Sequence, residues 1–118
     1  MTRTILFVCE HGAFRSRIAA AYFNAARPLG WRALSAGRDP QITVSARLRP
    51  LLADTAAAEY LETEAPRRAE DVTADRVIAL DCTHGGAAQW TTTAGSDEAL
   101  RDELATRVKV LARSLTKN

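Results

Sequence analysis

The first part of the chain contains an abrupt change of hydrophobic pattern, and this change limits the folds open to it. Residues 4–9, TILFVC, are apolar almost throughout, which is typical of a short strand buried on both faces. From Ser16 onward the apolar residues recur at helical spacing, at Ile18, Ala19, Tyr22, Phe23 and Ala26, until RPLG at 27–30 ends the pattern. A buried strand that leads through a short loop into a helix favours an α/β fold.

The rest of the chain continues the alternation of strands and helices. The sequence predicts strands at 31–37, 76–80 and 88–93, a helix over 44–58 that Pro50 kinks or divides, a loop at 59–75 with a helical turn near 67–72, and a last helix capped by Ser96. Leu100, Leu104, Val108, Leu111 and Leu115 give the last helix an apolar stripe. We therefore expect one α/β domain over residues 1–118, with three layers and a central, mostly parallel four-stranded sheet that has helices on both faces.

Charge and composition narrow the classes of function. The 16 Lys and Arg residues against 14 Asp and Glu residues give a formal net charge of +2, which lacks the basic excess of a dedicated nucleic-acid-binding protein. No apolar run is long enough to span a membrane, and no signal-type segment is found at the N-terminus. We expect no nucleic-acid or membrane partner and a cytoplasmic location. Two cysteines are too few for a disulfide framework.

Both cysteines follow predicted strands at their carboxyl ends. Cys9 ends the first strand, and Cys82 comes just after RVIALD. In open α/β sheets, ligands bind beyond the carboxyl ends of the strands. The positions of the two thiols are therefore the first indication of a functional site.

Residues 9–16, CEHGAFRS, combine a nucleophile with groups that bind anions. The backbone amides of a loop that curls into a helix N-terminus make an anion-binding nest, and the helix dipole adds to it. Arg15 can clamp an oxyanion, Ser16 can donate a hydrogen bond to the Cys9 sulfur, and Gly12 permits a tightly wound backbone. The plainer alternative is a buried strand-end thiol, a surface arginine and a serine that caps the helix.

The segment ILFVCEHGAFRSRIAAAYF resembles the opening of the low-molecular-weight protein tyrosine phosphatases and the thioredoxin-coupled arsenate reductases. Their signature is a cysteine, five residues, an arginine and a serine after an apolar strand. The resemblance continues in LSAG at 34–37, ADRVIALD at 74–81, and the tryptophan and helix near the C-terminus.

This resemblance implies a site and a reaction. Cys9 would be the nucleophile and would form a phosphocysteine, while Arg15 and the loop 10–15 would bind the phosphoryl oxygens. The loop consists of Glu10, His11, Gly12, Ala13, Phe14 and Arg15. Ser16 would assist the thiolate and Ser35 would support the loop from behind. Neither a metal nor a cofactor is expected, and the partners would be phosphate-containing small molecules, phosphoproteins, or oxyanions such as phosphate, sulfate and arsenate.

The sequence departs from the family pattern in three places. Gly12 stands where the family usually has asparagine, so side-chain hydrogen bonds are lost there. No Asp-Pro pair follows Trp90, and without that general acid the chemical step is expected to slow by about 10²–10⁴-fold. Asp97, Glu10 and His11 are the candidate replacements. The segment between RVIALD and Trp90 is also shorter than the family's substrate-facing loop.

Three alternatives stay open at this stage. Cys82 could act as a second thiol with Cys9 in an arsenate reductase, or be a small residue packed in a turn. The chain could be an inactive module that only binds anions. The pairs Cys9–His11 and Cys82–His84 could together form a Cys2His2 zinc site.

Overall fold

The computed structural model describes residues 2–116 and contains a single sheet of four parallel strands in the order β2-β1-β3-β4. The strands are β1 (Arg3–Cys9), β2 (Trp31–Gly37), β3 (Arg76–Leu80) and β4 (Ala88–Trp90), and the helices are α1 (Arg15–Ala26), α2 (Leu48–Leu52) and α3 (Asp97–Thr116). Short 3-10 turns lie at Ala58–Tyr60 and Ala69–Asp71. The predicted α/β fold with a four-stranded parallel sheet is confirmed. No helix within residues 2–116 is long and apolar enough to cross a membrane.

The central strand β1 is buried on both faces, as its uninterrupted apolar sequence predicts. Its residues alternate between two clusters: Ile5, Phe7 and Cys9 belong to the larger one, whereas Leu6 and Val8 belong to the smaller. The larger cluster also contains the buried faces of α1, α2 and α3. The main core of the protein therefore lies on one side of the sheet.

The two faces of the sheet are covered unequally. Helices α1 and α3 pack against each other on the side of the larger cluster. The opposite side, around Leu6 and Val8, is covered by the 3-10 turn at Ala69–Asp71 and the chain next to it. The segment 81–87 joins the parallel strands β3 and β4 without a helix, although most such connections contain one. The second helical layer is accordingly reduced to that short turn.

The helix predicted over 44–58 is confined to Leu48–Leu52, and side-chain and tertiary hydrogen bonds explain the difference. Before the helix, the Ser45 amide donates to the Ala13 carbonyl at 3.0 Å, which ties this part of the chain to the 10–15 loop. After it, the Thr55 hydroxyl donates to the Leu52 carbonyl at 2.6 Å and accepts from the Ala57 amide. Pro50 lies in the first turn, where a missing amide proton is tolerated.

The later elements match their predictions, except that the last strand is shorter. Ser96 caps α3, with its hydroxyl oxygen accepting a hydrogen bond from the Ala99 amide at 3.1 Å. The helical turn expected near 67–72 is present at Ala69–Asp71. Strand β4 ends at Trp90 rather than at residue 93, because the Thr92 amide donates to the Asp81 carboxylate instead of to a neighbouring strand.

The packing of α3 against α1 predicts how a core truncation should change the free energy of unfolding. Leu104 is fully buried in the larger cluster, so Leu104→Ala should lower the free energy of unfolding by about 2–5 kcal/mol. Leu29→Ala is the matched control, since Leu29 is 90% exposed and its truncation should change stability by less than about 0.5 kcal/mol. Urea unfolding followed by circular dichroism measures both. Equal losses for the two variants would contradict the packing described here.

Candidate active site

The loop between β1 and α1 lies at the carboxyl edge of the sheet, directly against the end of β2. Gly12 has a φ of +65°, and a β-carbon there would come within 2.6 Å of the Gly37 nitrogen. A β-carbon on Gly37 would come within 2.5 Å of the His11 carbonyl carbon. Both positions therefore require glycine, since backbone meets backbone without room for a side chain. This contact also explains why asparagine does not fit at position 12 in this chain.

The carbonyl groups at the start of the loop are all held from outside. The carbonyls of Cys9, Glu10, His11 and Ala13 accept hydrogen bonds from the amides of Arg38, Asp39, Gln41 and Ser45, respectively, at 2.7–3.1 Å. The Gly12 carbonyl accepts from Arg17 Nε at 2.9 Å. In a planar trans peptide the next amide points the opposite way from the carbonyl. The amides of residues 10–14 therefore point inward, towards the Cys9 side chain.

The inward amides and the start of α1 form an anion-binding nest. Within the described part of the chain, the amides of His11, Ala13, Phe14 and Arg15 have no hydrogen-bond acceptor. Helix α1 begins at Arg15 with no side-chain cap, so its positive dipole end faces the same space. A tetrahedral oxyanion is the ligand that such an arrangement binds.

Cys9 lies at the base of this nest, and its sulfur has two hydrogen-bond partners, the Gly12 amide as a donor to it and the Ser16 hydroxyl oxygen as an acceptor from the thiol. The Gly12 amide donates to Cys9 Sγ at 3.2 Å, and Ser16 Oγ lies 3.1 Å from the same sulfur. Ser16 is completely buried and Cys9 is nearly so. Both groups can stabilise negative charge on the sulfur, which a nucleophilic cysteine requires.

Arg15 is oriented by a carboxylate that the sequence interpretation overlooked. Its Nε forms an ion pair with Asp81 Oδ2 at 3.1 Å, and this leaves the two terminal nitrogens for an anion. The Asp81 carboxylate also accepts hydrogen bonds from the amide and the hydroxyl of Thr92. The available sequence signal was the position of Asp81 immediately after β3, at the same sheet edge as Cys9.

A cleft of about 270 Å³ opens above the nest. Its lining consists of Cys9, Glu10, His11, Ala13, Phe14, Arg15, Gln41, Ser45, Arg47, Leu80 and Asp81. Arg47 stacks on the Phe14 ring at 4.2 Å. One wall of the cleft is thus an aromatic ring covered by a guanidinium group, contributed by the loop and by the segment that precedes α2.

The three candidate replacements for the missing general acid are all engaged in other contacts. Glu10 is half exposed and forms an ion pair with Arg38 at 3.3 Å. Asp97 forms a two-pronged ion pair with Arg47 at 2.9 and 3.0 Å. His11 Nδ1 lies 3.1 Å from the Asp39 carbonyl oxygen.

Cys82 lies on the other face of the sheet from Cys9. It packs against the smaller cluster, and its thiol lies 3.6 Å from the Val8 carbonyl oxygen as a weak donor. Burial is the main cause that raises the pKa of the Cys82 thiol, and the nearby Cys9 raises it further. Cys82 therefore has the character of a protonated, partly buried thiol.

Ser35 supports the loop through an intermediate rather than by touching it. Its hydroxyl donates to Glu62 Oε1 at 2.9 Å, and the Glu62 backbone carbonyl accepts from Arg17 Nη1 at 2.7 Å. Arg17 in turn reaches Gly12. Arg17 was missed in the sequence because a charged residue in the first turn of a helix normally faces solvent.

The structure does not bring together the two Cys-x-His pairs that were considered as zinc ligands. Within residues 2–116, no group of three or more His, Cys, Asp or Glu side chains is close enough to hold a metal ion. Cys9 and Cys82 face opposite sides of the sheet, so the two Cys-x-His pairs do not converge.

Solved structures share this architecture over nearly the whole chain, although no protein-family model and no curated protein sequence matches it. An arsenate reductase from Archaeoglobus fulgidus is 26% identical, with a TM-score of 0.66 over 97% of this chain and 99% of that one. A low-molecular-weight protein tyrosine phosphatase from Bacillus subtilis is 23% identical, with a TM-score of 0.75 over 98% of both chains. An arginine phosphatase from Geobacillus stearothermophilus is 21% identical, with a TM-score of 0.69 over 96% and 92%.

These similarities confirm the fold that the sequence resemblance implied. The chain has the α/β fold shared by low-molecular-weight protein tyrosine phosphatases and arsenate reductases. It spans almost the full length of each of these neighbours.

The contact between the loop and β2 can be tested with one methyl group. Gly37→Ala should displace the loop, because the new β-carbon would lie 2.5 Å from the His11 carbonyl carbon, and the misdirected loop amides should weaken phosphate binding by about 10-fold or more. Gly95→Ala is the control, since nothing lies within 4 Å of a β-carbon there. Isothermal titration with inorganic phosphate measures the effect on binding. Equal phosphate affinity in the two variants would contradict the close contact.

Proposed function

We propose that this chain is a cysteine-dependent phosphatase that hydrolyses phosphomonoesters through a phosphocysteine on Cys9. The Cys9 thiolate attacks phosphorus, a sulfur–phosphorus bond forms, and the ester oxygen leaves with the bonding electron pair and takes up a proton. Water then attacks the phosphocysteine, and phosphate and the thiolate are released. The observation that carries this proposal is the position of Cys9 Sγ at the base of a ring of inward-pointing amides.

The same geometry accounts for transition-state stabilisation. Four loop amides without acceptors and the terminal nitrogens of Arg15 can bind the equatorial phosphoryl oxygens, on which charge accumulates during transfer. Asp81 keeps Arg15 aimed at the nest by binding its Nε. Ser16 acts on the sulfur, both before attack and when the thiolate is the leaving group of the second step.

The leaving group receives little help in this cleft. The carboxylates that line it are Glu10 and Asp81, and each forms an ion pair with an arginine. We therefore propose that the enzyme works best on phosphomonoesters whose leaving group is stable without protonation, such as aryl phosphates, whether on a small molecule or on a phosphoprotein. The reaction needs a reduced Cys9, which fits a reducing compartment such as the cytoplasm.

Arsenate reduction is the second candidate function, and it is favoured by the similarity to the Archaeoglobus fulgidus arsenate reductase. Arsenate has the shape and charge of phosphate, so the nest suits both. A reductase also needs a thiol to attack the arsenylated Cys9. Cys82 faces the opposite side of the sheet and its burial keeps it protonated, so the phosphatase is the proposal that the geometry supports better.

The nucleophile is tested by turnover of p-nitrophenyl phosphate. Cys9→Ser should abolish turnover, because serine lacks a thiolate at neutral pH, while phosphate binding to the amides should persist. Cys82→Ser is the matched control and should retain wild-type turnover. A Cys9→Ser variant as active as wild type would remove Cys9 from the reaction.

The wild type and the same two variants also distinguish the phosphatase from an arsenate reductase and from a module that only binds anions. Thioredoxin-dependent arsenate reduction that disappears in Cys82→Ser would assign the reductase instead. Phosphate binding by wild type without turnover of any phosphomonoester would leave an anion-binding module.

The dependence of rate on leaving group tests the absence of a general acid. A general acid speeds the departure of a basic leaving group by about 10²–10⁴-fold. Without one, phenyl phosphate, which has the more basic leaving group, should be turned over at least about 100-fold more slowly than p-nitrophenyl phosphate. Asp81→Asn should lower kcat for both substrates by a similar factor, since it loosens Arg15 without touching the leaving group. Stopped-time assays of phosphate release measure both. Similar wild-type rates for the two substrates would show that a general acid is present, and a steeper leaving-group dependence in Asp81→Asn would identify Asp81 as that acid.

A further inference from the structure

Arg17 is the largest side chain that the fold buries completely, and the phosphatase reaction described above gives it no role. It lies in the first turn of α1, two residues after Arg15, with 1% of its surface exposed. Burial lowers the pKa of its guanidinium, and the nearby Glu62 opposes this by raising it. An arginine remains charged in proteins, so its burial is unfavourable unless specific partners compensate.

The partners of Arg17 are two backbone carbonyls from different parts of the chain. Nε donates to the Gly12 carbonyl at 2.9 Å, and Nη1 donates to the Glu62 carbonyl at 2.7 Å. The Glu62 carboxylate is itself fixed by the Ser35 hydroxyl at 2.9 Å and by Arg67 Nη2 at 2.7 Å. Arg17 therefore connects the nest to β2 and to the segment that follows the Ala58–Tyr60 turn.

Among the carbonyls of residues 9–13, that of Gly12 differs from the others because it accepts its hydrogen bond from a side chain. The carbonyls of Cys9, Glu10, His11 and Ala13 are each held by a backbone amide of residues 38–45. Gly12 itself has no side chain and a left-handed φ of +65°, and its contact with Gly37 excludes any substituent. The residue with the greatest backbone freedom in the loop is thus restrained by Arg17.

We propose that Arg17 is a positioning residue of the oxyanion site, which holds the Gly12 carbonyl outward through Nε and thereby aims the Ala13 amide at the bound phosphoryl group. The inference rests on the proposed oxyanion chemistry of the loop. The Glu62, Ser35 and Arg67 groups hold Arg17 in place and do not contact the loop themselves.

Two near-isosteric variants isolate the donor that this role requires. In Arg17→Gln the amide nitrogen occupies the place of Nε in the side chain and can still donate to the Gly12 carbonyl. In Arg17→Met a methyl group occupies that place. Both variants remove the positive charge and the contact with Glu62, so they differ chiefly in the hydrogen bond to Gly12.

The measurement is inorganic phosphate binding by NMR, with the amide shifts of the loop as the readout. Arg17→Met should weaken phosphate by about 10-fold, as expected for one misdirected hydrogen bond to a charged group, and the shift of the Ala13 amide on binding should be lost. Arg17→Gln should keep the Ala13 shift and bind closer to wild type. Leu104→Ala is the structural control: it destabilises the buried core without removing a hydrogen bond to the loop or to Arg17, and it should lower the melting temperature without changing phosphate affinity.

The outcomes separate the inference from the proposed function. Equal phosphate affinity and equal Ala13 shifts in Arg17→Met and Arg17→Gln would overturn the role of Nε, as would an equal loss of affinity in Leu104→Ala. If Arg17→Met fails to fold, Arg17→Gln decides alone, because loss of its Ala13 shift overturns the inference. Absence of both phosphate binding and p-nitrophenyl phosphate turnover in wild type would instead overturn the proposed function.

Discussion

The outward fixing of the loop carbonyls is the constraint on which the rest of the site depends. A trans peptide points its carbonyl and the following amide in opposite directions. Amides of residues 38–45 bind the carbonyls of Cys9, Glu10, His11 and Ala13 from outside the loop. The loop amides that follow these carbonyls therefore point inward. The backbone amides of residues 38–45 thus orient the proposed anion site. Binding of an oxyanion then requires no reorganisation of the loop, which is the condition for strong electrostatic stabilisation.

The thin cover on the second face of the sheet lies away from this arrangement. The connection 81–87 contains no helix, and the face of Leu6 and Val8 is covered by the Ala69–Asp71 turn and the chain next to it, whereas the loop lies on the opposite side and on the end of β2. Gly12 and Gly37 let the two backbones meet, and Asp81 at the end of β3 reaches Arg15 across the cleft. All the groups proposed for phosphoryl transfer therefore come from one sheet edge and the start of α1.

Features with a local cause could be predicted from the sequence, and features that need distant partners could not. The uninterrupted apolar run of β1 and the helical spacing in α3, with its Ser96 cap, carry their own signal. The extent of α2 does not, because Ser45 is drawn to Ala13 only in the folded chain. The same holds within the site. Cys9, Arg15 and Ser16 lie in one short stretch of sequence, so their roles could be predicted from it. The roles of Asp81 and Arg17 depend on contacts that form only in the folded chain.

A crystal structure of Cys9→Ser with bound phosphate tests the central claim most directly. The account predicts a single tetrahedral anion in the cleft, with its oxygens about 2.7–3.2 Å from the amides of His11, Ala13, Phe14 and Arg15 and with the terminal nitrogens of Arg15 on two of them. The phosphorus should lie directly above the side chain of residue 9. A phosphate bound elsewhere, or one in the cleft that contacts only side chains while the loop amides point away from it, would contradict the account.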